Sequence, residues 1–79
     1  MVTVHREAGL SFVSFTDDHP PAHIHVVGDG RAKIELVGED GRPRLVNTRG
    51  FAASDIRRAL RIVAERQDEL LARRRSIHG

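Results

Sequence analysis

Hydrophobic and polar residues alternate in short runs over the first two-thirds of the chain, which is the pattern of half-buried β-strands. We predict strands at 3–6, 10–16, 23–27 and 31–37, with a further short strand at about 42–46. All of these strands fall within residues 2–47. Pro43 favours an edge position for the last one, because proline cannot donate a hydrogen bond to a neighbouring strand.

The two runs on either side of Gly28-Asp29-Gly30 predict a hairpin with a three-residue loop. In this register Val27 pairs with Arg31, and the apolar side chains collect on one face: Ile24, Val26, Ala32, Ile34 and Leu36. The polar side chains collect on the other face: His23, His25, Lys33 and Glu35. A two-residue loop would mix the two sets, because a shift of one residue moves every side chain to the opposite face.

The period of the pattern changes near Ser54, which is a suitable helix N-cap, and Asp55 places negative charge in the first turn. One helical stripe then carries the apolar residues Ile56, Leu60, Val63, Leu70 and Leu71, with Gln67 as a polar exception. We predict one long helix over about 54–75. Strands followed by a helix indicate an α+β fold, in which a small antiparallel sheet of four or five strands packs against that helix.

The length of 79 residues allows a single domain over 1–79 with one small core. The chain has no cysteine, which excludes disulfides and thiolate zinc sites. No segment approaches the roughly 20 apolar residues of a membrane span, and the N-terminus lacks the apolar run of a signal peptide. We therefore expect a cytoplasmic protein that does not associate with membranes.

Positive charge concentrates in the C-terminal segment. The formal net charge is +2, and residues 54–79 contain seven arginines against four acidic residues. Binding of nucleic-acid phosphates is one interpretation of this helix. The other is a solvated helix face whose arginines pair with nearby acids.

Three of the five histidines, His19, His23 and His25, lie within seven residues, beside Asp18 and a Pro-Pro step. His23 and His25 share one face of a strand, about 7 Å apart at the backbone. Both imidazoles could therefore reach one ion, and His19 and Asp18 would complete a ligand set for zinc or a similar divalent metal. The alternative is a polar sheet surface preceded by a rigid turn.

A second interpretation of the same face needs no metal. His23, His25, Lys33 and Glu35 would form a mixed patch that could hold a phosphate or act in acid–base catalysis, since histidine titrates near neutral pH. Stacking of the imidazoles in a structural ladder is the alternative.

The segment before the helix supplies further candidates. Asn47 and Arg49 are predicted on a loop, where binding residues often lie. Gly50 is expected to supply an unusual backbone angle, and Phe51 to enter the core.

A family resemblance rests on three motifs and the long helix that follows them. The motifs are Asp18-His19-Pro20-Pro21-Ala22-His23-Ile24-His25-Val26, Ala32-Lys33-Ile34-Glu35-Leu36 and Asn47-Thr48-Arg49-Gly50-Phe51. This arrangement resembles domain-of-unknown-function family 4160, which consists of small prokaryotic proteins. The genes of that family commonly lie beside those of domain-of-unknown-function family 2442, and such pairs look like toxin–antitoxin modules. The resemblance implies a small protein partner but no established catalytic residues. His19, His23, His25, Lys33, Asn47 and Arg49 therefore stand as candidates.

Three functions are open at this point. The leading hypothesis is a component of a toxin–antitoxin-like two-gene system, acting through a protein partner, with or without nucleic acid as a second ligand. The second is a small metal-dependent or acid–base enzyme that uses the histidine cluster. The third is a stand-alone binding module. A homodimer is an alternative to the partner encoded by a neighbouring gene, because pairing stabilises a domain with a small core.

Overall fold

The computed structural model describes residues 2–14 and 21–78, with side chains described as far as residue 75. In chain order the elements are β1 (Val2–Glu7), β2 (Leu10–Ser14), β3 (His23–Val27), β4 (Arg31–Glu35), β5 (Arg44–Arg49), α1 (Ala53–Glu65) and α2 (Gln67–His78). The strands form one antiparallel sheet in the order β1-β2-β3-β4-β5. The predicted α+β fold is confirmed. No helix within the described ranges is long and apolar enough to cross a membrane.

The β3–β4 hairpin has the predicted register. Val27 pairs with Arg31, His25 with Lys33 and Ile24 with Ile34. The predicted apolar set of this hairpin is buried without exception. The three-residue loop is therefore correct, and it separates a face that packs on the helices from a face that does not.

The core lies between the inner face of the sheet and the helices. The buried helical residues are Ala59, Ile62, Val63 and Leu70. Two of these, Ala59 and Ile62, were not predicted, whereas Ile56 and Leu60 are only partly buried at the margin of the core. The buried stripe of α1 therefore consists of Ala59, Ile62 and Val63, and Leu70 continues it in α2.

Helix α1 begins one residue before the predicted N-cap. Ala52 occupies the N-cap position, and Ser54 lies inside the first turn. The carboxylate of Asp55 accepts a hydrogen bond from the backbone N–H of Ala52 at 3.3 Å. This bond satisfies an N–H at the start of the helix, which is how the acidic residue of a capping box acts.

The predicted single helix is divided at Arg66, whose backbone leaves helical geometry with φ −115° and ψ 19°. Directly after the break, the side-chain amide of Gln67 donates to the carbonyl oxygens of Leu36 at 2.6 Å and Gly41 at 2.9 Å. These bonds tie the start of α2 to the β4–β5 connection. Gln67, the polar exception in the apolar stripe, therefore connects the helix to the loop.

Strand β5 differs from its predicted range. It spans Arg44–Arg49 rather than 42–46, because residues 38–42 form a turn in which the N–H of Gly38 donates to the carbonyl of Arg42 at 2.8 Å. A bulge opposite the Lys33/Ile34 step accommodates the extra residue of β5. Asn47 and Arg49 consequently lie in the sheet, not on a loop. Strand β4 likewise ends at Glu35 instead of residue 37.

The turn between β3 and β4 packs tightly against the end of β5. A Cβ at Gly30 would overlap the backbone of Arg49 and Phe51, so only glycine fits there. Gly50 has φ +83°, which confirms the predicted unusual backbone angle. Phe51 follows and packs partly buried against the core, as expected.

The substitution Ile34→Ala tests this core assignment. Ile34 is fully buried at the centre of the sheet. Its truncation should lower the free energy of unfolding by about 2–5 kcal/mol, through lost burial and the cavity that remains. Val46→Ala, at an exposed position of β5, should change it by less than about 0.5 kcal/mol. Urea denaturation monitored by circular dichroism measures both, and equal midpoints for the two variants would contradict the assigned core.

Candidate functional site

The face of the sheet opposite the helices, here called the outer face, carries most of the candidate residues. Strand alternation places three cross-strand rows of side chains on it. The first row consists of Arg6, Ser11, Val27, Arg31 and Arg49. The second consists of Thr3, Val13, His25, Lys33 and Asn47. The third consists of His23, Glu35 and Arg44.

The first row contains three exposed arginines, Arg6, Arg31 and Arg49, which we call the basic row. Arg31 and Arg49 are direct cross-strand partners. Like charges in that position repel each other. None of the three forms an ion pair with another residue in the part of the chain that the structure describes. The basic row is therefore suited to an external anion.

The second row brings together candidates from three segments of the sequence. Lys33 pairs with His25 on one side and with Asn47 on the other. Lys33 and His25 are partly buried, whereas Asn47 is exposed. Because β5 extends to Arg49, the predicted loop candidates Asn47 and Arg49 lie on the same face as the histidines.

The third row contains an ion pair. Arg44 donates from Nε to Glu35 Oε2 at 3.1 Å and from Nη2 to Oε1 at 3.0 Å. These hydrogen bonds lower the pKa of Glu35 and raise that of Arg44. Glu35 is therefore ionised at neutral pH, and its negative charge is paired with the positive charge of Arg44.

The two described histidines of the motif contact each other. Their ring centroids are 5.1 Å apart in an edge-on arrangement. His23 is only 7% exposed, and its Nδ1 lies 3.0 Å from the carbonyl oxygen of Pro21, to which it donates. His23 is thus more buried than a solvated surface residue, and it orients the more accessible ring of His25.

The predicted metal set extends beyond the described residues. His19 and Asp18 lie outside them, so their distances from His23 and His25 are not defined. Within residues 2–14 and 21–78, no group of three or more histidine or carboxylate side chains is arranged to hold a metal. The metal site therefore stays a prediction.

A depression of about 540 Å³ lies on the outer face between Arg6 and Arg31. Its lining includes the side chains of Thr3, Ser11, Val13, His25 and Val27. Apolar and aromatic groups thus occupy the middle of a surface with cationic margins.

Several arginines of the helices are occupied by intramolecular contacts. Arg58 lies 2.8 Å from Asp55 and also donates to the carbonyl of Ala8. Arg66 pairs with Glu69 at 2.9 Å and with Glu7 at 3.3 Å. The charge pattern of the sequence indicates a basic region in this helical segment. It does not indicate the basic row, because Arg6, Arg31 and Arg49 come from three strands that are far apart in sequence.

These features define a class of small α+β proteins with helices on one face of a sheet and a row of exposed arginines on the opposite face. The sequence profile of the domain of unknown function DUF4160 matches residues 9–73. The chain belongs to this family, as the three motifs and the helix predicted. No curated protein and no solved structure matches it.

Acid titration should reveal the Glu35–Arg44 pair. The folded-state pKa of Glu35 is lowered, so the pair contributes stability above the ordinary glutamate pKa of about 4.3 and loses it as the pH falls through the folded value. The wild type should therefore be more stable than Arg44→Gln at pH 7, and the difference should shrink at acidic pH. Arg42→Gln removes a nearby arginine that makes no described ion pair, and should show no such pH dependence. Denaturation midpoints across pH measure this, and a constant difference would contradict the assignment.

Calorimetry on chelator-treated protein tests the predicted metal site. If His19, His23 and His25 converge, zinc should bind with release of protons and raise the melting temperature. His25→Ala should abolish both effects. His5→Gln should retain them, because His5 pairs with Glu7 at 2.9 Å and contacts Phe12 on the inner face. Absence of heat and of any melting shift with zinc, nickel and manganese would exclude the site.

Proposed function

We propose that this protein is a component of a toxin–antitoxin-like two-gene system that binds nucleic acid through the outer face of its sheet. In this proposal it works together with a small protein partner encoded by a neighbouring gene. The observation that carries the nucleic-acid part is the basic row, in which three exposed arginines share one face of the sheet without an acidic partner among the described residues.

The charge balance of the outer face supports a polyanionic ligand. Five basic side chains lie on it: Arg6, Arg31, Lys33, Arg44 and Arg49. Glu35 is the one acidic residue in the three described rows, and Arg44 already neutralises it. Arginine is well suited to phosphate because its planar guanidinium can donate two parallel hydrogen bonds. Phosphates along a nucleic-acid backbone would also relieve the repulsion between Arg31 and Arg49.

The partner part of the proposal rests on the family resemblance and on the edges of the sheet. Strands β1 and β5 are edge strands, and Val46 on β5 is 39% exposed. Val37, in the connection that precedes β5, is 45% exposed. An edge strand with nearby apolar groups can be covered by another chain. A partner protein or a second copy of this chain would stabilise the small core in the same way.

A metal-dependent or acid–base enzyme is the second candidate function. The contact between the rings of His23 and His25, with Lys33 opposite His25, favours it. The calorimetric experiment above distinguishes its metal-dependent form from the binding function.

Oligonucleotide binding tests the leading proposal. Fluorescence anisotropy with labelled RNA and DNA, single-stranded and duplex, should show binding that weakens steeply with salt. Arg31→Gln and Arg49→Gln should each weaken binding and reduce the slope of log affinity against log salt by about 0.7–0.9, the loss of one phosphate contact.

The matched control is Arg57→Gln, which removes the same charge from an exposed position on α1. This variant should bind like the wild type. If it loses as much affinity as the outer-face variants, or if the wild type binds no oligonucleotide, the outer face is not a nucleic-acid surface.

A growth assay in the host extends the same test to the two-gene system. One of the two genes expressed alone should inhibit growth, and expression of both together should restore it. The double variant Arg31→Gln/Arg49→Gln should lose the effect of this protein, whereas Arg57→Gln should keep it. Normal growth with either gene alone would contradict the toxin–antitoxin part.

A further inference from the structure

We infer that the ligand of the outer face is a single-stranded nucleic acid, and that one of its bases enters the depression between Arg6 and Arg31. This inference rests on the proposed function, because it assumes that the basic row binds phosphates. It goes beyond that proposal by specifying a single-stranded nucleic acid and the depression as the place where one base binds.

The arginines of the basic row stand on both sides of the depression. Arg6 lies on β1, and Arg31 lies three strands away on β4. With a strand spacing of about 4.8 Å, their backbones are roughly 14 Å apart. Ser11 and Val27 occupy the two intervening positions of the row. A strand of nucleic acid that crosses the sheet along this row would place phosphates at its ends and a nucleoside in the middle.

The lining of the depression suits the flat, apolar surface of a base. Val27 is 39% exposed there although it is hydrophobic, and it supplies the accessible apolar surface, because Val13 in the same lining is almost fully buried. His25 belongs to the same lining, and its imidazole lies edge-on to that of His23 with the ring centroids 5.1 Å apart. Aromatic rings, histidine included, are common stacking partners for unpaired bases. Thr3 and Ser11 add hydroxyls that can donate to or accept from the polar edge of a base.

These features favour a single strand over a duplex. The bases of a duplex are stacked and paired inside the helix, so a duplex would present only its backbone to the arginines and leave the depression unused. A single strand presents phosphates and unstacked bases together. It therefore satisfies both the charge of the row and the apolar lining between its members. An acidic protein segment would satisfy the charge, but it fills the depression only where an aromatic side chain stands beside its carboxylates, whereas every nucleotide carries both a phosphate and a base.

The test compares labelled single strands of about 12 nucleotides with a duplex of the same length, in RNA and DNA forms. The single strands should bind at least roughly tenfold more tightly than the duplex at about 150 mM salt. Val27→Asn should weaken single-strand binding by roughly fivefold, because it replaces an apolar contact surface with an amide. Val46→Asn is the matched control, since Val46 is also 39% exposed in the sheet but lies outside the depression. This variant should bind like the wild type.

The outcomes separate this inference from the proposed function. Equal or tighter binding of the duplex would overturn the inference. The proposed function would then stand, with the outer face binding phosphates only. If Val27→Asn and Val46→Asn lose the same single-strand affinity, the result contradicts binding of a base in the depression. Failure to bind any oligonucleotide would reject the inference and the proposed function together. If Val27→Asn unfolds, Val27→Thr keeps the branched shape of the side chain and should still weaken the single strand more than Val46→Thr does.

Discussion

The register of the β3–β4 hairpin is the constraint on which the rest of the structure depends. It places Ile24 opposite Ile34 on the inner face and His25 opposite Lys33 on the outer face. A shift of one residue would bury Lys33 and expose Ile34. The free energy gained by burying isoleucine is larger than that of the contacts between polar groups on the outer face. The requirement for a core therefore also determines which polar groups meet on that face. The candidate site is in this sense a consequence of the packing beneath it.

The turn of the same hairpin connects the core to the basic row. Gly30 lies so close to the backbone of Arg49 that a side chain at this position would overlap it. Gly50 continues the chain with a positive φ. This approach holds the end of β5 against β4, where Arg31 and Arg49 are direct partners. The packing of the turn against β5 therefore fixes the two arginines as neighbours despite the repulsion between their charges.

The two faces of the sheet differ in how many of their charged side chains form ion pairs. On the helical side, Arg58 pairs with Asp55 within α1. Arg66, between the two helices, pairs with Glu69 of α2 and with Glu7 of β1. On the outer face, Glu35 pairs with Arg44, and the basic row has no acidic partner among the described residues. Exposed ion pairs contribute little to stability. Their effect here is to leave Arg6, Arg31 and Arg49 as outer-face arginines that no described carboxylate neutralises.

Much of this architecture can be predicted from the sequence because it depends on local periodicity. The alternation around Gly28-Asp29-Gly30 determined the hairpin register, and the change of period near Ser54 located the helical segment. The family followed from motifs that are contiguous in the chain. The elements predicted less well were those that depend on contacts between distant segments. Gln67 bonds to Leu36 and Gly41 beside the break at Arg66, and a bulge against β4 accompanies the extension of β5 to Arg49.

The sequence by itself thus determined which side chains share a face within the β3–β4 hairpin, since strand alternation and the three-residue loop decide that. Only the tertiary structure decided that Arg6, Arg31 and Arg49 form one row and that a depression lies between two of them. Their positions are 25 and 18 residues apart in the chain. The strands follow one another in chain order, but the pairing of β2 with β3 and the bulge between β4 and β5, which place the three arginines in one row, are not evident from local periodicity.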